Sequence, residues 1–383
     1  MKIAHTADWH LGKIIFQTKL LEEQAQLLTN FCSSLEEQHP DCLIIAGDVY
    51  DRSIPPSEAV DLLDQTLKRI IIDLKIPIFM ISGNHDSPER IHFGSSFMRH
   101  MGLHVKGKLD GFDQPVTLND EFGPVDFFLL PYADPAEVKW FLDDETIHTH
   151  QAAYERLLEK IKVQKTPGRR SVLITHAFIS GGTESESERP LSVGGTGVVA
   201  ASLFEDFTFT ALGHLHRPQD SLKNKVHYSG SLMKYSFSEA SHNKSYSIIE
   251  LTHDTITIQK IPLTPQRDLR VIKGTFEEIL KKGRADDKNE DFIMALIEGD
   301  KAILNPIEKL RAVYPNVMKI QRELLAQDRS SKLTVKERES QSDVELFEAF
   351  FEQVTSSEKK YTKEMKTVVE DLFSTVYKED DHQ

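Results

Sequence analysis

Five short polar clusters hold the side chains in this sequence best suited to chemistry. They are Asp8-Trp9-His10, Gly47-Asp48-Val49-Tyr50-Asp51, Gly83-Asn84-His85-Asp86, His176, and Gly213-His214-Leu215-His216. Imidazole, carboxylate and amide donors together suit first-row divalent ions, with manganese, iron and zinc the natural occupants. The clusters contain no cysteine, which excludes a structural zinc of the thiolate type. The donors suffice for two ions. Two dications roughly 3.5–4 Å apart repel by on the order of 15–20 kcal/mol at an effective dielectric of ~20. A shared anion must offset that repulsion, and a bridging Asp is the natural choice. With Asp8, Asp48 and a hydroxide, about one positive charge is left, which favours an anionic substrate such as a phosphate ester and lowers the pKa of bound water. His85 could steady a developing oxyanion or protonate the leaving oxygen.

These clusters need elements that bring them together. Each follows an apolar run that reads as a strand: Ile3-Ala4, Leu43–Ala46, Phe79–Ile81, Val172–Thr175 and Phe209–Leu212. Between the first three, helical periodicity predicts helices over 20–38, 56–74 and 88–101. Strand–helix alternation argues for an α/β core, and ligands of such sheets bind beyond the carboxyl ends of the strands. Glycines before Asp48, Asn84 and His214 permit sharp turns there. The next stretch is richer in strands, at 125–130, 171–175, 207–212, 226–228, 246–251 and 255–261, with a helix over 144–163. The loop from His176 to Ala201 carries five glycines with Glu184, Glu186 and Glu188. Loops of that length are functional or disordered, so this one is either a surface excursion or the edge of a site.

After Pro265 the pattern resets to a small α+β unit: strands 269–272, 292–297 and 317–321 with helices 276–282 and 306–313. Beyond Ser330 two amphipathic helices are expected, one through Val344, Phe347, Phe351 and Val354, the other through Met365, Val368, Leu372 and Val376. Residues 331–383 carry 8 Lys+Arg and 13 Asp+Glu, and a tethered helical pair with Phe347, Phe350, Phe351 and Phe373 suits partner docking better than packing on its own domain. The three domains expected are therefore 1–266, 267–330 and 331–383.

Composition sets the outer limits. The 383 residues are 39% hydrophobic and 28% charged, enough for a globular protein with a real core. A net charge of −14 weighs against a surface that clings to nucleic acid throughout, while leaving room for a local patch. No apolar run suits a membrane span or a signal peptide. Cys32 and Cys42 cannot make a disulfide framework, so a cytoplasmic setting is expected. Among the 16 histidines, His5, His92, His100, His104, His148 and His150 lack strand-end context and read as surface or core residues; Trp9 and Leu11 read as packing.

Asp-x-His, Gly-Asp-x-x-Asp, Gly-Asn-His-Asp, a strand-ending His and Gly-His-x-His, in that order, resemble the calcineurin-type metallophosphoesterases. Within them, Thr6-Ala7-Asp8-Trp9-His10-Leu11-Gly12, His176-Ala177-Phe178, Gly213–Pro218 and Tyr228-Ser229-Gly230-Ser231 with Lys234–Phe237 resemble the nuclease subunits of bacterial SbcCD complexes. The resemblance is strong over residues 1–265 and covers the rest by layout only. It implies a calcineurin-like sandwich of two mixed sheets flanked by helices, with a small α+β cap and C-terminal helices. It implies one ion on Asp8, His10, Asp48 and His216 and a second on Asp48, Asn84, His176 and His214, with manganese the usual metal. His85 would act near the scissile phosphate, and Asp51 would orient it through its carboxylate, where archaeal and eukaryotic relatives tend to have His. Arg189 would be a phosphate contact, and Tyr228–Glu239 would support the Gly213–His216 loop. The implied activity is exonucleolytic at duplex ends and endonucleolytic in single strands and hairpins, in DNA repair, recombination and replication. The implied partners are DNA, an SbcC-like ATPase gripped by the C-terminal helices in a heterotetramer, and a second copy bound through helices in 56–101. A stand-alone phosphatase or cyclic-nucleotide phosphodiesterase is the alternative that the same site allows.

Overall fold

The computed structural model describes residues 1–188, 191, 197–299 and 303–323, together with 344, 347, 351, 362 and 365–369. Met1–Glu323 form one compact unit and Leu324–Gln383 a second.

The apolar runs become the parallel centres of two six-stranded sheets. In the first, Lys2–Thr6, Cys42–Ala46, Ile78–Ile81 and Leu103–Lys106 run parallel, and Ser245–Leu251 and Ile256–Pro262 complete one edge antiparallel. In the second, Gly123–Leu129, Arg170–His176, Phe209–Gly213 and Val226–Tyr228 are parallel, flanked by antiparallel Val116–Asp120 and Gln219–Ser221. Parallel strands covered on both faces read as unbroken apolar runs, and all five residues of Cys42–Ala46 are buried. Their two-residue period then sorts them. Ile44 and Ala46 join Phe79, Phe127, Val172 and Ala211 between the sheets, where the Phe79 and Phe127 rings stack at 4.3 Å. Leu43 and Ile45 face outward, into a cluster with Leu27, Leu28, Phe31 and Leu35 of helix Leu21–Gln38. Helix His150–Gln164 covers the second sheet through Tyr154, Leu157, Leu158 and Ile161. A sandwich of two mixed sheets flanked by helices is therefore as expected.

Two helices differ from the sequence reading. The segment expected as one helix over 88–101 is broken into Pro88–His92, Ser95–Met98 and a 3-10 turn, Arg99–Met101. Gly94 adopts φ +73, which ends helical continuity. The helix expected over 144–163 begins only at His150, because Thr149 caps it through the Ala152 N–H, while Asp144 folds back on Thr146. A separate helix, Pro135–Leu142, precedes it. The 56–74 helix is Ser57–Lys68 continued by a π turn, Arg69–Asp73.

Residues 269–323 form a three-stranded parallel sheet, Leu269–Gly274, Phe292–Glu298 and Val317–Glu323, with helices Phe276–Ala285 and Pro306–Arg311. It has a core of its own around Ile279, Ile293, Ala295 and Tyr314. Lys234–Asp268 and Arg267–Glu23 ion pairs tie its first strand to the sandwich. The helices expected after Ser330 lie largely outside the described residues; Val344, Phe347, Phe351 and residues 365–369 are helical. Among the described residues no helix is long and apolar enough to cross a membrane.

Candidate metal centre

Parallel register brings the strand ends level: Thr6 lies beside Ile45, Ala46 beside Ile81, and Gly213 beside His176. The first sheet delivers Asp8, His10, Asp48, Asn84 and His85, and the second delivers His176, His214 and His216. The two sets meet across the sandwich, where His176 Nδ1–H donates to the Ala46 carbonyl at 2.9 Å. So close an approach leaves no room for side chains in the turns. A Cβ at Gly83 would stand 2.2 Å from Asp48 Oδ1, and one at Gly213 would stand 2.0 Å from the Ala46 oxygen. Asp8, His10, Asp48 and His214 all have positive φ, an uncommon backbone state for side-chain-bearing residues. Hydrogen bonds hold them there: Asp8 N–H to the Gly47 carbonyl at 3.0 Å, His10 N–H to the Asp48 carbonyl at 2.9 Å, and His214 N–H to Asp8 Oδ1 at 2.9 Å.

At the centre, Asp48 Oδ2 faces imidazoles from both sheets, 3.7 Å from His10 Nε2, 3.5 Å from His176 Nε2 and 4.0 Å from His85 Nε2. Ligand atoms of Asp8, His10 and His216 lie within 4.8 Å of one another, and so do those of Asp8, Asp48 and His176. Asn84 Oδ1 is 2.9 Å from His176 Nε2 and 3.4 Å from His214 Nδ1. Asp8, His10, Asp48, His176, His214 and His216 are buried, while Asn84 and His85 are partly buried.

Charge is finely divided in this pocket. Burial pushes the Asp8 carboxyl up to about 7 against the opposing pull of His176 and His216. Burial also works against the Asp48 carboxylate, yet His176, His10 and His85 hold it well below the usual range. Burial lowers His10 and His214, which keeps their rings neutral and their lone pairs available. His10 Nε2 and His216 Nε2 stand 3.0 Å apart, and His214 Nε2 and His10 Nδ1 have no hydrogen-bond partner among the described residues. Buried acceptors aimed at one another are costly without something positive between them. The donor set therefore fits divalent metal ions.

A family model described as calcineurin-like phosphoesterase matches residues 1–218, and one described as the type 5 capsule protein repressor C-terminal domain matches residues 265–355. The chain is 38% identical over 357 residues to the SbcD subunit of the nuclease SbcCD of Staphylococcus epidermidis, covering 93% of this chain and 94% of that one. The chain belongs to the calcineurin-like phosphoesterases, among the SbcD nuclease subunits. TT1561 of Thermus thermophilus aligns at a TM-score of 0.42 with 12% identity, over 68% of this chain and 98% of that one. A dimetal phosphatase from Danio rerio aligns at 0.43 with 12% identity, over 69% and 98%.

In this phosphoesterase His85 sits beside the ligand cluster, its ring 4.7 Å from that of His10. Its backbone N–H donates to Asp48 Oδ1 at 2.9 Å and its Nδ1–H to the main-chain carbonyl of Asp51 at 2.8 Å. Asp51 thus meets His85 through its main-chain carbonyl, while its carboxylate lies 2.8 Å from Lys13 Nζ and 3.9 Å from His10 Nδ1, in a group with His10 and His85 whose ligand atoms are within 4.8 Å of one another. Arg189 lies outside the described residues. His5 and His150 are buried, His92 and His104 half-buried, and His100 and His148 exposed; none belongs to the cluster around Asp48. Trp9 and Leu11 are fully buried in the core, as their apolar character requires.

Sequence reasoning missed two supports of the phosphoesterase site. Asp86 is a buried clamp, accepting the N–H groups of Val49 at 3.0 Å, Tyr50 at 2.9 Å and Gly83 at 2.9 Å, and so binding the Asp48 turn to the Asn84 turn. Gln24 donates to the Trp9 and His10 carbonyls at 3.1 and 2.8 Å and accepts the Gly12 N–H at 3.0 Å. The available signal was a Gln at helical spacing from Leu21, Leu27 and Leu28, and in the folded chain that residue is fully buried.

Proposed function

We propose that this phosphoesterase is the nuclease subunit of an SbcCD-like complex and uses two divalent ions, manganese by preference, to hydrolyse DNA phosphodiesters at duplex ends and in single strands and hairpins. The reading rests on one observation above all: the Asp48 carboxylate faces imidazoles from both sheets, within 4.0 Å of each of three rings. One ion is assigned to Asp8, His10, Asp48 and His216, and the other to Asp48, Asn84, His176 and His214. Bound there, the ions supply Lewis acidity and lower the pKa of coordinated water.

The chain's own residues do the rest. His85 is held by the Asp51 carbonyl through Nδ1–H; as an imidazolium it hands its Nε2 proton to the leaving oxygen and is left neutral with Nδ1–H in place. Asp86 and Gln24 keep the ligand turns rigid, which matters because misplaced ligands lose transition-state stabilisation. Phosphate contact needs no base reading, so a net charge of −14 is tolerable where a partner supplies much of the phosphate grip.

Further parts of the assignment follow from surface and sequence. Ile54, Phe93, Phe97 and Met101 are exposed apolar residues in and beside the 56–101 region, which supports a homodimer through that face. Residues 331–383 are assigned to an SbcC-like ATPase, residues 267–330 to a DNA-facing cap and residues 1–266 to catalysis, in a cytoplasmic heterotetramer. The deciding assay compares hairpin and blunt duplex DNA with a nitrophenyl phosphate, across manganese, magnesium and zinc, with and without the ATPase. Cleavage of DNA supports the nuclease; turnover of the small ester alone would favour a stand-alone phosphatase or cyclic-nucleotide phosphodiesterase.

A further inference from the structure

Residues 185–188, within the Gly/Glu-rich segment after His176, turn back onto His216. Glu188 Oε1 accepts the His216 N–H at 2.8 Å, and its Oε2 accepts the N–H and hydroxyl of Ser185 at 2.5 and 2.6 Å. The Glu186 N–H donates to Ser238 Oγ at 3.1 Å. Ser187 Oγ then lies 2.8 Å from His216 Nδ1 and is also hydrogen-bonded to the Glu239 carboxylate. Glu239 is fully buried, pairs with Lys244 and accepts the Tyr235 N–H at 3.1 Å. On the far side of the imidazole, His216 Nε2 faces His10 Nε2 at 3.0 Å.

We propose that Ser187 and Glu239 are positioning residues of the metal centre, forming a relay that fixes the tautomer and aim of His216. An ionised carboxylate can only accept a hydrogen bond, whereas a hydroxyl both donates and accepts. Glu239 therefore draws the Ser187 proton to itself, which turns the lone pairs of Ser187 Oγ toward His216 Nδ1. That nitrogen must carry the hydrogen, and Nε2 is left as a lone pair facing the ligand cluster. Outer partners of this kind orient a ligand imidazole and raise its basicity. Glu188 fixes the backbone of the same residue, so the loop holds His216 by ring and by main chain. Lys244 balances the Glu239 charge, which keeps the relay from adding a net negative charge beneath the centre.

The relay rests on the metal assignment above, and the test separates the two. Metal-stripped full-length wild type, Ser187→Ala, Ser187→Thr and Glu239→Gln are titrated with Mn2+ and Co2+ by calorimetry, with the visible absorption of the cobalt form recorded. Ser187→Ala is expected to weaken ion uptake by roughly 10–100-fold and to move the cobalt bands, without lowering the thermal midpoint of the metal-free chain. Ser187→Thr, which keeps the hydroxyl, is expected to restore both. If Glu239→Gln fails to fold because Lys244 loses its partner, the two Ser187 variants still decide. Wild-type affinity and an unmoved spectrum in Ser187→Ala would overturn the relay alone. A wild-type chain that takes up neither ion would overturn the metal assignment, and the relay with it.

Discussion

Asp48 and Asp8 are both buried carboxyls, yet their surroundings part them. Three imidazoles keep Asp48 ionised, whereas burial holds Asp8 at about 7 when no cation shares its pocket. Such a division belongs to a site built to take up positive charge. His85 is different in kind, since it borders the cluster and is tied to a carbonyl. His85→Gln is therefore expected to leave metal content unchanged while lowering DNA cleavage by on the order of 10²–10⁴. Metal analysis beside a hairpin cleavage assay checks this, and loss of an ion from the variant would contradict the role. Asp51→Asn keeps the carbonyl that holds His85. It is expected to retain far more activity than His85→Gln in the same assay.

Gly213 ends a strand directly before His214 and His216 and packs closely against the Ala46 carbonyl. A methyl group at 2.0 Å from that oxygen has no space, and the obstacle is backbone that cannot swing aside. Gly213→Ala is expected to lose about 2 kcal/mol or more of stability and to bind metal poorly, because the sheets must part where His176 crosses between them. Thermal denaturation with metal titration of the same sample measures both effects. Elements far from the cluster were less legible. The 88–101 segment has the periodicity of one helix, yet the chain turns at Gly94 and continues as short pieces. Periodicity records which residues face apolar neighbours; it does not record where the axis bends.

For the molecule as a whole, what keeps the sheets in register lies partly at the end remote from the metal centre. Arg170 of the second sheet and the N-terminal ammonium of Met1 in the first both grip Asp120, at 2.9 and 2.6 Å. The Arg170 hydrogen bond is the chief cause holding the Asp120 carboxyl well below its ordinary value, with the N-terminus adding to it. A depressed folded pKa means that the stabilisation is complete above the ordinary value of 3.8 and is lost as pH falls through the lower folded value. Asp120→Asn is expected to cost on the order of 2 kcal/mol near neutrality, and the gap to wild type is expected to close only below about pH 4. Thermal midpoints measured from pH 7 down to the acid limit would reveal a different window. On the outer surface, Phe93 and Phe97 stand exposed together on the broken helix. With this as the face of the proposed homodimer, Phe93→Asp with Phe97→Asp is expected to leave only monomer in sedimentation while metal uptake is unchanged.

The polar clusters were visible in the chain because ligand chemistry restricts residue type: few side chains bind a hard cation, and apolar strands before them mark where they emerge. The parallel strands were visible for a related reason, since burial on both faces demands unbroken apolar runs such as Leu43–Ala46. Which atom of Asp51 meets His85, which backbone groups Asp86 binds, and how Ser187 comes under His216 were decided only by folding. Those contacts join residues 3 to 37 positions apart, and each depends on local backbone angles and on the packing of neighbouring turns. A linear pattern encodes the kinds of group available. The distances between them arise only when two sheets close on one another.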